Sequence, residues 1–215
     1  MTCLQPASNK CRQASRRSRA RCWCWQGIIF PYKGVDLLLR AWQRVEAHGG
    51  DCQLAIVGTG TPELLEEIRE QVKSLGLKRV RLEPRFISAR ELVALYRAAD
   101  VVVYPYRAIT TSGALATGLA LGKTIVASDL PVFRELLTDR ESALLVDPLD
   151  ADLFADALTS LVHDADLRER LASRVRAMDF GEQSWISIAK KTVQAYESAL
   201  LSSRHSSFPP STSGV

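Results

Sequence analysis

Six short runs, at residues 23–29, 53–57, 80–83, 101–104, 124–127 and 143–146, are rich in valine and isoleucine and largely apolar on both faces. A strand with one face in water alternates polar and apolar residues; one without alternation must be covered on both sides. Between the runs lie stretches with helical spacing. Residues 35–47 carry Leu38, Trp42 and Val45 on one stripe, and residues 62–75 carry Leu64, Leu65, Ile68, Val72 and Leu75. Pro62 suits a first helical turn, Gly76 suits a C-cap, and Ser88-Ala-Arg-Glu91 has the spacing of a capping box opening a helix to about residue 99. Further helices are expected over 112–121 and 131–137. Repeated strand–helix alternation predicts an α/β fold with a doubly wound parallel sheet. From residue 151 the pattern is helical only, over 151–163, 166–175 and about 184–200. The last of these places Trp185, Ile188, Ala189, Val193 and Tyr196 on one stripe.

The two ends differ from this body. Residues 1–26 have no apolar period and are rich in arginine, serine and cysteine. Residues 1–35 hold seven basic side chains and no acidic one, so the chain's net charge of +4 leaves residues 36–215 at −3. The body is thus not a nucleic-acid binder by charge. Three functional readings of residues 1–26 stand open: a transit peptide, a twin-arginine signal at Arg16–Arg17, or a zinc site from Cys3, Cys11, Cys22 and Cys24. No apolar stretch follows the arginines, and the cysteines lack paired C-x₂-C spacing. The composition favours a disordered or non-native lead-in over residues 1–26, a domain over 27–201 and a disordered tail over 202–215. The cysteine distribution is no disulfide framework, which makes a reducing cytoplasm the expected location.

In an open α/β sheet, ligands bind beyond the carboxyl ends of the strands. Three strand-to-helix turns there are equipped for an anion. In Phe30-Pro-Tyr-Lys-Gly34, Lys33 supplies a mobile charge and Gly34 lets backbone come close. Val57-Gly-Thr-Gly60 places Gly58, Thr59 and Gly60 after a buried strand. The third turn, residues 104–115, offers Arg107 as a fork, hydroxyls at Thr110, Thr111 and Ser112, and amides at Gly113 and Ala114 unobstructed by side chains. Each also has a plainer reading as a solvated lysine, a tight turn or a well-capped helix. No Walker A loop or G-x-G-x-x-G fingerprint occurs, and His48, His163 and His205 are scattered.

Taken in order, four segments resemble the C-terminal domain of GT-B glycosyltransferases of family 4, the glycosyl transferases of group 1. They are Pro31-Tyr-Lys-Gly-Val-Asp-Leu-Leu-Leu39, Leu54-Ala-Ile-Val-Gly-Thr-Gly60, residues 91–105 and residues 112–129 followed by Glu135. The resemblance covers about residues 24–200. It implies a Rossmann-like domain that binds a nucleotide-diphosphate sugar and, with an N-terminal acceptor domain, transfers the sugar with retention. Lys33 would bind the diphosphate, Gly58 and Gly60 would face the cleft, and the backbone at Phe86–Ile87 would lie near the base. Thr111 to Ala114 would cradle the distal phosphate. No metal cofactor is implied, because lysine, arginine and a helix N-terminus neutralise the leaving group. The acceptor domain would be a separate partner, with peripheral membrane association through it.

The sequence departs from that family in three places. Gly27 is followed by Ile28 where an arginine is usual. The paired glutamates fall on Ile109 and Thr117, and Thr117 replaces the ribose contact only in part. Residues 1–26 do not resemble an acceptor domain. A second reading, a non-catalytic nucleotide-binding or interaction fragment, therefore stands beside the first. A receiver-like or epimerase-like domain is a third, lacking the aspartate cluster of the one and the glycine fingerprint of the other.

Overall fold

A computed structural model describes residues 21–179, 181 and 185–205. It contains a six-stranded parallel sheet in the order β3-β2-β1-β4-β5-β6. The strands are β1 (Arg21–Gln26), β2 (Cys52–Val57), β3 (Val80–Glu83), β4 (Val101–Tyr104), β5 (Thr124–Ser128) and β6 (Leu144–Val146). The helices between and after them are α1 (Val35–Ala47), α2 (Pro62–Ser74), α3 (Ala89–Ala98), α4 (Gly113–Ala120), α5 (Pro131–Arg134), α6 (Ala151–His163), α7 (Ala165–Arg176) and α8 (Trp185–His205). The doubly wound α/β fold expected from the alternation is present.

Two expected boundaries are corrected. The composition predicts a lead-in over residues 1–26, yet Arg21–Gln26 is β1, a central strand. It pairs with β2 from Arg21↔Cys52 to Gln26↔Val57 and with β4 at Trp23↔Val101. Its alternation of cysteine and tryptophan serves two buried faces. Trp23 and Trp25 join the core with α1 and α6, while Cys22 packs with Ala55, Val57 and Ile87 on the other face. Cys24 is also buried, which pushes its thiol up to about 12. Cys22 and Cys24 are therefore strand residues with a packing role. Cys3, Cys11 and the rest of residues 1–20 lie outside the described residues. The composition predicts a tail over 202–215, but α8 continues to His205; residues 206–215 lie outside the described residues. The chain also divides into two compact units at Ala177–Met178, which separates α8 from the sheet unit that was expected to include it.

Local chemistry accounts for the elements. Ser88 caps α3 in a reciprocal box with Glu91, and Thr61 caps α2 ahead of Pro62. Asp150 caps α6 and Asp164 caps α7 through side-chain bonds to first-turn amides. On one sheet face, Trp23, Trp25, Leu54, Ile56, Val101 and Val103 pack against Leu38, Trp42, Phe154 and Leu158. The Trp23 and Trp42 rings lie 5.9 Å apart in a tilted arrangement. Each large side chain so withdrawn from water contributes about 1.5–3 kcal/mol. On α8, Ile186, Ile188, Val193, Tyr196 and Leu200 are exposed. No described helix is long and apolar enough to cross a membrane.

This order fixes where a site can form. β1 and β4 are neighbours, but the chain leaves them toward opposite faces. Val101 and Val103 pack on the α1 side, whereas Gly118 of α4 lies against Val102 and Tyr104. The loops after β1 and β4 therefore part at a topological switch point, where a crevice opens at the carboxyl edge.

Candidate functional site

The loops at that edge are stitched together before any ligand is considered. Hydrogen bonding continues past the strands, from the Gly27 amide to the Val57 carbonyl at 3.2 Å, Ile29 to Thr59 at 2.6 Å, and Gly58 to Glu83 at 3.1 Å. A Cβ on Gly58 would lie 1.7 Å from the Gly27 carbonyl oxygen. Gly58 is thus required by the close approach of two backbones, and the Thr59 carbonyl is spent on Ile29. A Cβ on Gly60 would meet Ile29 at 3.2 Å. These residues shape the base of the β1 loop; the expected role of facing a ligand is not what fixes glycine at 58.

The β1 loop makes a 3₁₀ turn over Pro31–Lys33 and enters α1 through Gly34, which has φ 64°. A Cβ on Gly34 would fall 1.8 Å from the Pro105 carbonyl oxygen, so the β1 and β4 loops touch here. Arg107 secures the contact. Its amide donates to the Tyr32 carbonyl at 2.7 Å. Its guanidinium donates to the Pro31 carbonyl at 2.7 Å and grips both carboxylate oxygens of Asp36, at 2.8 and 2.6 Å. Burial acts to raise the Asp36 carboxyl, but the hydrogen bonds and charge of Arg107, with Arg40, outweigh it and hold the group below the usual carboxylate range. The sequence offered Arg107 as a fork for phosphate. In the structure that fork is occupied by Asp36, and Arg107 joins two loops instead.

Lys33 is left differently. It is half-buried and makes no ion pair or side-chain hydrogen bond among the described residues. Burial pushes its amine below the usual lysine value. Its Nζ sits 5.6 Å from the centroid of the Tyr106 ring. Tyr106 is fully buried, and burial pushes its phenol up to about 12. The Ser112 hydroxyl stands near enough to oppose that rise, yet among the described residues the phenol oxygen has no hydrogen bond of normal geometry. One residue thus touches both Lys33 and the cap of α4.

Ser112 caps α4, its Oγ accepting from the Leu115 amide at 3.1 Å. The Gly113 and Ala114 amides belong to the first turn and have no intrahelical acceptor. A Cβ added at Gly113 would meet nothing within 4 Å, so that side of the turn is open. Thr110 and Thr111 are exposed beside it. The turn is fixed from below: the buried Tyr104 hydroxyl donates to the Ala114 carbonyl at 2.7 Å. Gly118 makes room for it, since a Cβ there would lie 2.5 Å from the Tyr104 oxygen. The hydroxyl of Thr117 donates to the Gly113 carbonyl at 2.9 Å, which leaves it only as an acceptor.

Phe86 and Ile87 lie in the loop after β3, three strand spacings from β4, or about 14 Å. Phe86 is 82% exposed, whereas Ile87 is buried against Cys22, Ala55 and Val57. A separate hollow of about 440 Å³ is walled by Ile29, Phe30, Tyr32, Asp36, Leu64 and Glu67; Lys33 and α4 do not line it. Among the described residues no group of three His, Cys, Asp or Glu side chains is placed to hold a metal ion. Sequence reasoning missed Asp36, Tyr104 and Tyr106. The Tyr-Pro-Tyr-Arg string after a buried strand was the only signal for the two tyrosines.

Comparison with known proteins agrees with this layout. The family model for glycosyl transferases group 1 matches residues 22–164. A phosphatidyl-myo-inositol mannosyltransferase of Mycobacterium leprae is 34% identical over 177 residues, covering 80% of this chain and 45% of the relative. A D-inositol 3-phosphate glycosyltransferase of Corynebacterium diphtheriae is 29% identical, covering 91% and 48%. The chain thus spans about half the length of the curated relatives it matches. Among solved structures, Anabaena HepE in complex with UDP and glucose superposes with a TM-score of 0.73 at 19% identity, covering 84% of this chain and 49% of that one. The C-terminal domain of the group 1 glycosyltransferase LpcC of Francisella tularensis gives 0.66 at 23% identity, covering 73% and 82%. By the matched residues and the fold, the chain belongs to the group 1 glycosyltransferases and corresponds to their C-terminal GT-B domain.

Proposed function

We propose that this domain binds the nucleotide-diphosphate sugar of a retaining glycosyl transfer, and that transfer requires an acceptor-binding domain on a partner or on further chain. The observation that carries the reading is a half-buried ammonium without a carboxylate, Lys33, placed at the switch point with the open first turn of α4. Both sources of positive potential adjoin Tyr106. A diphosphate matches them, with one phosphate on the ammonium and the distal one on the amides of Ser112, Gly113 and Ala114 beside Thr110 and Thr111. A helix N-terminus favours an anion by about 0.3–1 kcal/mol, and up to about 2 when partly buried. Stabilising the departing diphosphate is the catalytic contribution such a domain makes. In this reading no metal cofactor is needed, the base lies toward Phe86 and Ile87, and Thr117 meets the ribose only as an acceptor. The two relatives, a mannosyltransferase and a glycosyltransferase, support a sugar-transfer role, and HepE has been solved with UDP and glucose. The setting is the cytoplasm, with any membrane contact made through the acceptor partner.

Calorimetric titration of UDP-, GDP- and ADP-sugars into the folded chain tests the reading. Binding of one of them is expected, and Lys33→Ala should weaken it by about 1.5–3 kcal/mol, the worth of a charge-assisted contact. Folded protein that binds none of the three overturns it. A second reading, a nucleotide-binding fragment without catalysis, is favoured by Ile109 and Thr117 at the two glutamate positions. Sugar transfer on supplying an acceptor domain would exclude that second reading.

A further inference from the structure

We propose that Tyr106 is a positioning residue that seats the Lys33 ammonium, using a ring face that the surrounding aromatics hold still. Lysine is a poor fixed charge, because its four-carbon stem has many rotamers to lose on ordering. Here the Nζ lies within cation–π reach of one ring, at 5.6 Å. The ring cannot turn aside. Tyr104 packs on it at 5.9 Å and 70°, and Phe133 at 5.8 Å and 46°. On another side of the amine stands Gly27, where a Cβ would lie 2.8 Å from Nζ. The seat therefore has a floor supplied by β4's loop and a wall that only glycine leaves clear.

The choice of a ring has a chemical consequence. A carboxylate partner would also hold the amine, but it would cancel the charge and compete with an incoming anion. A ring quadrupole attracts the cation while leaving its net charge available. Among the described residues the phenol hydroxyl adds no hydrogen bond of normal geometry, so the ring is the functional part. The ligand side of this proposal rests on the donor-binding reading; the seat itself does not.

The test titrates UDP and GDP into the full chain by calorimetry, with Tyr106→Phe, Tyr106→Leu, Lys33→Met and the Tyr106→Leu/Lys33→Met double variant. Tyr106→Phe should match the wild type within about twofold, since it keeps the ring. Tyr106→Leu should lose about three- to thirtyfold, the range of cation–π strengths. In the Lys33→Met background Tyr106→Leu should lose nothing more. Equal losses in both backgrounds, or no loss in either, would overturn the proposal. A second measurement needs neither ligand nor a Tyr106 variant. Lysines are labelled by reductive ¹³C-methylation, and the Lys33 signal is identified by its loss in Lys33→Arg. That resonance should be displaced upfield by the Tyr106 ring current, and a position among those of exposed lysines refutes the seat. If wild-type protein binds neither nucleotide, the donor-site reading fails while this measurement still decides the seat.

Discussion

Replacing Asp36 by asparagine separates two incompatible roles for Arg107. If Arg107 were a phosphate fork held in reserve by Asp36, removing the carboxylate charge would free it and tighten nucleotide binding. If it ties the β1 loop to the β4 loop, as its bonds to Pro31, Tyr32 and Asp36 indicate, the same change loosens the loop that carries Lys33. Both side chains keep about a third of their exposure, 30% for Arg107 and 38% for Asp36. The pair is therefore screened by solvent and is worth no more than about 1 kcal/mol even in bidentate geometry. Asp36 also lies in the first turn of α1, where its charge adds about 0.3–1 kcal/mol. The expected loss is about 1–2 kcal/mol, or a fall in Tm of about 2–8 °C for a domain of this size. The folded-state pKa of Asp36 is depressed. Its contribution is thus present above the unfolded value, about 3.9, and is lost as pH falls through the lower folded value. The Tm gap between Asp36→Asn and wild type should be full at pH 7 and should close in acid. Calorimetric scans across pH, paired with nucleotide titration, give both readings. Tighter binding by Asp36→Asn would refute the tie between the loops and restore Arg107 to the phosphate.

Three further changes follow from the packing of the same edge. Gly34→Ala places a Cβ against the Pro105 carbonyl in a left-handed backbone and should cost about 2–4 kcal/mol, read as a lower urea midpoint at unchanged slope; a loss below about 0.5 kcal/mol would show that the loops do not meet there. Gly118→Ala should cost about 1–3 kcal/mol by pushing on the Tyr104 hydroxyl. In a Tyr104→Phe background, where that oxygen is gone, the cost of Gly118→Ala should shrink; additive losses in urea melts would contradict this account.

The fold was legible because periodicity states it. Val101–Tyr104 and the centre of Thr124–Ser128 are apolar, and both strands are buried on both faces, and the Ser88–Glu91 box opens a helix where its spacing says it should. β1 was legible only in part. Its cysteine–tryptophan alternation lacks the usual valine and isoleucine, and a basic stretch runs into it without a break. At the proposed site, the residues that offer charge or open backbone were visible: Lys33, and the turn from Thr110 to Ala114. What was not visible is which polar groups are already satisfied. Nothing in the string Tyr-Pro-Tyr-Arg tells that Arg107 reaches back to Asp36, 71 positions earlier, or that Tyr104 is the prop beneath α4. Gly58 looked like a ligand-facing residue because a glycine that admits a neighbouring backbone and one that admits a ligand are the same letter.

The strand order has a consequence for how such a domain diversifies. The groups proposed to hold charge are mounted on two adjacent central strands clamped together by Gly34, Pro105 and Arg107. The loop carrying Phe86 hangs from the outermost strand on one side, with its own anchors in Arg85, Glu83 and Glu91. Mutations in that outer loop leave the clamp intact. Under the donor-binding role proposed above, a lineage would thereby be free to exchange one nucleobase for another while its grip on the shared pyrophosphate stays unaltered.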